Sequence, residues 1–154
     1  MIGASSSSVP PSPDGRPLRD RVLAALIDEG HRPRIDDDGD VALAVEAQML
    51  FVRCPDDVRP RMVRVFGQWQ LDDSIAGDEL TRLRAASAVT GALNLVKVSV
   101  KTDLLAVAVD LIVDDGTDLG PLLTAVLEMM LDSVRAWHQT VTGLLEEANP
   151  AEGS

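Results

Sequence analysis

The chain has no tyrosine, one cysteine, two histidines and two lysines among its 154 residues. Phe51, Phe66, Trp69 and Trp137 are its only aromatic residues, 3% of the total. A lone cysteine, Cys54, excludes an internal disulfide and is consistent with a reducing cytoplasm. No apolar run approaches the ~18 residues that cross a bilayer. The N-terminus lacks a basic segment followed by an apolar one, so it does not read as a secretory signal. Basic blocks are missing too: 14 Lys+Arg face 25 Asp+Glu, a formal net charge of −11. That balance excludes the electrostatic footprint of a general nucleic-acid binder and disfavours anionic membrane surfaces. There is also no Gly-rich phosphate loop and no Gly-x-Ser-x-Gly elbow.

What is present is 45% apolar residues, enough for a core built from Val, Leu, Ala and Met. The length suits one domain. Residues 1–16 are expected to be a Ser/Pro-rich disordered tail, residues 17–147 the folded domain, and residues 148–154 a short flexible end.

Leu18, Val22, Leu26 and Ile27 recur at helical spacing, and Gly30 stops that helix at about Glu29. The period then drops to two. Pro33-Arg34-Ile35 leads into the turn Asp36–Asp40, after which Val41, Leu43 and Val45 alternate with Ala42 and Ala44. Met49–Cys54 and Arg61–Leu71 are further strands, the second with Val63, Val65, Trp69 and Leu71 on one face. A second helix spans about Gly77–Leu93 and is rich in Ala, Ser and Gly. Val96, Val98 and Val100 alternate with Lys97, Ser99 and Lys101; Leu105 to Val113 is the next strand. Leu119 to Glu147 forms a long helix with one broad apolar stripe, its start within reach of a cap from Thr117 or Asp118. The expected fold class is α+β: a single two-layer domain, an antiparallel sheet with helices, in the order α-β-β-β-β-α-β-β-α. Connections this short exclude repeated parallel crossovers.

Candidate chemistry is sparse. Asp36, Asp38 and Asp40 match the first oxygen positions of a calcium loop, but Val41 and Ala47 stand where it needs Gly and Glu. A solvated hairpin turn is the simpler reading. His31 and His138 lie in no zinc pattern and read as surface histidines, and Cys54 reads as a small hydrophobe. No catalytic, metal or cofactor residue is assigned.

The second sheet face is more telling. Ala42, Ala44, Met62, Phe66, Ala106, Ala108 and Ile112 lie opposite the main apolar sets, where a one-sided sheet carries charge. These seven residues are the candidate partner or dimer surface.

The segments Val22–Gly30, Val41–Cys54, Val63–Leu71, Leu80–Leu93 and Val96–Val113, closed by the helix Leu119–Leu145, resemble the YbjN-type domain family. That family shares the fold of type III secretion chaperones. Of its Asn-x-x-Asn ending to the middle helix, only Asn94 matches. The resemblance implies a small, acidic, dimeric regulator without catalytic residues; chaperones of this fold hold an extended partner segment. The use of 12 Arg against 2 Lys looks like a GC-rich bacterial genome. The expected function is thus a non-enzymatic protein-interaction module, chaperone- or adaptor-like. It would act in the cytoplasm as a homodimer that also binds another protein, with no nucleic-acid or membrane partner. The alternative is a small-molecule sensor with a pocket near Trp69 or Trp137.

Overall fold

A computed structural model describes residues 17–72 and 78–148. The expected tail 1–16, most of the expected end 148–154, and the start proposed for the second helix at Gly77 lie outside these residues.

Helix α1 (Leu18–Asp28) buries Leu18, Val22 and Leu26, the residues whose spacing announced it. Its end is a Schellman arrangement. The Gly30 amide donates to Ile27 O at 2.9 Å and the His31 amide to Leu26 O at 3.0 Å. Gly30 at φ 93 supplies the left-handed residue this motif requires. The chain then lays down β1 (Arg34–Ile35), β2 (Val41–Val45), β3 (Gln48–Arg53) and β4 (Met62–Gln70). Helix α2 (Glu79–Ala92) follows, its first turn capped by Asp78, which accepts from the Thr81 amide at 2.9 Å. Strands β5 (Val96–Lys101) and β6 (Leu104–Ile112) and the long helix α3 (Leu119–Ala148) complete the order α-β-β-β-β-α-β-β-α.

The six strands form one antiparallel sheet in the order β1-β2-β3-β4-β6-β5. Consecutive strands pair by hairpins as far as β4. The return through α2 then places β6 against β4, with β5 on the edge. Inward-pointing strand residues, among them Leu43, Leu50, Val52, Val65, Val98, Val107 and Val109, join one buried cluster with the apolar sides of the three helices. The helices therefore cover one face only. In α3, Leu123, Val126, Leu127, Met130, Val134, Trp137 and Val141 are buried. Trp137 is fully enclosed, and its indole N–H donates to Arg82 O at 3.2 Å.

Two details show how tightly the layers meet. At Gly67 on β4, a Cβ would stand 2.6 Å from the Trp69 ring and 2.9 Å from Leu50 Cδ2. Glycine is what lets the indole lie along its own strand. At the β5 edge, the Thr90 hydroxyl of α2 accepts from the Val98 amide at 2.9 Å and donates to Val98 O at 3.2 Å. One side chain thus satisfies both backbone groups that an edge residue otherwise leaves open.

Candidate functional site

The candidate surface is the sheet face that carries no helix. The pleat sends alternate residues to it, and the register aligns them across strands. One row runs Arg34, Ala42, Phe51, Phe66, Ala108, Lys97 from edge to edge. Beside it lie Arg53, Arg64 and Asp110 on successive strands, with Asp40 reaching Arg53 from the turn before β2. All seven residues singled out by alternation belong to this face. Ala44 is exposed, while Met62, Phe66, Ala106 and Ala108 are half-buried. Ile112 is 74% exposed. Ala42 differs from the rest. It is fully buried, a methyl group sunk between its cross-strand neighbours Arg34 and Phe51, so it supports the face without presenting surface.

The face is not simply apolar. Phe51 and Phe66 stack with ring centroids 5.3 Å apart, and the Arg53 guanidinium sits 4.9 Å above the Phe66 ring. Arg53 donates through Nε and Nη2 to the two oxygens of Asp40, at 3.0 and 2.9 Å. Arg64 does the same to Asp110, at 2.7 and 3.0 Å, and Lys97 reaches Asp110 at 3.2 Å. The Asp110 carboxyl is held below its ordinary pKa chiefly by the Arg64 hydrogen bonds, against the opposing effect of burial, with Lys97 adding a smaller downward pull. Both arginines are correspondingly raised by these carboxylates.

Phe51, Met49, Arg53 and Lys97 were not among the residues singled out. The signal for the first three was there. Met49, Phe51 and Arg53 alternate with Leu50 and Val52, a period-two pattern hidden within an apolar run.

Elsewhere the candidate groups are committed to structure. Asp36, Asp38 and Asp40 bring carboxylate oxygens within 4.8 Å of one another. Yet Asp36 Oδ1 already accepts from the Asp38 and Asp40 amides, and Asp40 is paired with Arg53, as befits a hairpin turn. Asp114 organises the turn before α3: its side chain accepts from the Gly116 amide and the Thr117 hydroxyl. Burial, reinforced by Asp40 and Asp56, pushes the Cys54 thiol up to about 12, which keeps it protonated and unreactive. His31 lies just past α1. His138 is a correction to the surface reading: it is half-buried, edge-on to Trp137 at 5.0 Å, and burial lowers its pKa. Trp69 spends its indole N–H on Gln48 Oε1 at 2.8 Å. With Trp137 enclosed and likewise satisfied, neither indole offers a donor to a ligand.

Among the described residues no helix is long and apolar enough to cross a membrane. In its fold the chain is similar to YbjN, a proposed transcription regulator from E. coli, at TM-score 0.54 and 16% identity. The likeness covers 87% of this chain and 94% of that one. It is also similar to an uncharacterized protein from Methanothermobacter thermautotrophicus, at TM-score 0.55 and 15% identity over 84% and 97% of the two chains. The YbjN-like fold is thereby shown. No protein-family model matches the chain, and no curated protein does.

Proposed function

We propose that the protein is a non-catalytic protein-interaction module of the chaperone or adaptor kind, acting in the cytoplasm as a homodimer. Its helix-free sheet face is the surface offered to a second protein. One observation carries this reading. A six-stranded sheet has all three helices on one side, and its other side mixes stacked aromatics, Met and Ile with ordered arginines instead of a uniformly charged coat. Surfaces of that composition match the cores and rims of protein interfaces. The dimer is supported by exposed Leu83 (42%) on α2, which lines an apolar groove with Val98 and Val100 of β5, and by exposed Leu80 (54%) three residues before it on the same helix.

A photo-crosslinking residue tests the face. Placed at Gln68, on the open face, it is expected to give a discrete partner adduct in cells; placed at Ala125, exposed on α3, it is expected to give none. Equal labelling at both positions, or none at Gln68, overturns the assignment. Light scattering at tens of micromolar tests the dimer, and a strict monomer there removes that part of the reading.

A further inference from the structure

We propose that Arg53 and Arg64 together form a carboxylate receptor, and that the partner segment on this face is an acidic, extended polypeptide with an apolar side chain beside its carboxylate. The inference rests on the reading of the open face as protein-binding and adds the chemistry of the partner.

Arg53 and Arg64 are direct cross-strand neighbours. Like charges placed opposite one another destabilise a sheet unless something offsets them. Here each guanidinium is gripped along one edge only: Asp40 takes Nε and Nη2 of Arg53, and Asp110 takes the same pair on Arg64. A guanidinium has five N–H donors, so the Nη1 groups of both arginines remain. No hydrogen bond engages either Nη1 among the described residues, and the side chains stay 49% and 46% exposed. Two forks held at fixed orientation lose little freedom when an anion arrives, which is what a receptor needs.

Charge argues for the same partner. This face carries Arg34, Arg53, Arg64, Lys97 and Lys101 against Asp40, Asp103 and Asp110, with Asp36 and Asp38 of the turn also acting on Arg53, on a chain whose net charge is −11. An acidic segment therefore meets its cations here and is repelled by the rest of the surface, which holds the chain's excess of negative charge. The stacked Phe51 and Phe66, next to the arginine pair, receive an apolar neighbour of the bound carboxylate. Geometry limits the length: six strands at ~4.8 Å spacing span roughly 24 Å, which about eight extended residues cross. A single-stranded nucleic acid fits less well. The acidic remainder of the surface repels a polyanion.

The test uses the full chain, isotope-labelled, titrated with a synthetic peptide of alternating Glu and Leu about eight residues long. The expected result is selective movement of the Arg53 and Arg64 Nε–H resonances, with binding that weakens as salt is raised. The Arg53→Gln/Arg64→Gln double variant should lose about tenfold or more in affinity while keeping its dichroism spectrum. If that variant fails to fold, the salt dependence and the resonances of the unaltered protein still decide the matter. Three outcomes overturn the proposal: no binding up to about 1 mM, equal binding of a Lys-Leu peptide, or tighter binding of an oligothymidylate. The Gln68 adduct separates the two claims. An adduct from a segment without acidic residues removes the carboxylate receptor and leaves the protein-binding face intact; no adduct removes the face itself.

Discussion

Replacing Thr90 by Val removes one hydroxyl and almost nothing else. Both side chains are β-branched, so the helical rotamer and the volume on α2 hardly change. What is lost is the pair of bonds to Val98, at 2.9 Å from its amide and 3.2 Å to its carbonyl. A neutral hydrogen bond contributes about 0.5–1.5 kcal/mol net, so the pair represents about 1–3 kcal/mol. Thr90 lies on an exposed stretch of α2, where water takes over part of the lost role, and the lower figure of about 1 kcal/mol applies. In a domain of this size that lowers the melting temperature by roughly 3–5 °C. The second consequence concerns the edge. With the hydroxyl gone, Val98 presents an open donor and acceptor in the middle of β5, and a second strand can add there. Urea unfolding and concentration-dependent light scattering measure the two effects together. The expected result is a lowered midpoint with larger assemblies for Thr90→Val, and behaviour close to the unaltered protein for Thr90→Ser. Equal stability and assembly of the Val variant and the parent would refute the claim that this hydroxyl guards the edge.

Three further outcomes are expected. Gly67→Ala forces a methyl group against Trp69 and Leu50, at 2.6 and 2.9 Å, and should destabilise by about 1–3 kcal/mol, with altered tryptophan fluorescence. Asp110 has a folded-state pKa below its unfolded value, so its contribution is present above about pH 4 and is lost as the pH falls through the folded-state pKa. Asp110→Asn should therefore shallow the acid limb of a stability profile below about pH 4; an unchanged limb contradicts the pairing with Arg64 and Lys97. Cys54, its thiol pushed up to about 12, should resist alkylation at neutral pH in the native protein and react at once in urea. Rapid native labelling contradicts its burial.

Much of this architecture was legible before any coordinates. The change from a 3.6-residue to a two-residue period around Pro33, and back again at α2 and α3, marks the elements to within a residue or two. The Val96–Val100 alternation appears in the structure as strict buried–exposed alternation in β5. The candidate face was only half legible. Alternation marks which residues turn away from the core, and it found Met62, Phe66, Ala106, Ala108 and Ile112. It does not say what stands beside them. Asp40 lies 13 residues from Arg53, and Asp110 lies 46 from Arg64, so neither pairing has a local signature.

The division follows from the range of the forces involved. Which residues are buried depends on a local rhythm of apolar side chains, and the sequence by itself determined that: the order of elements, the core stripes of α1 and α3, and the inward faces of the strands. Strand order and register depend on pairing between distant segments. Only the tertiary structure set β6 against β4, sank Ala42 between Arg34 and Phe51, and put Arg53 opposite Arg64 with an aspartate gripping each. A chain of net charge −11 thus acquires a face of ordered arginines and stacked aromatics that its overall composition does not announce, because charge becomes a surface property only once the strands are aligned.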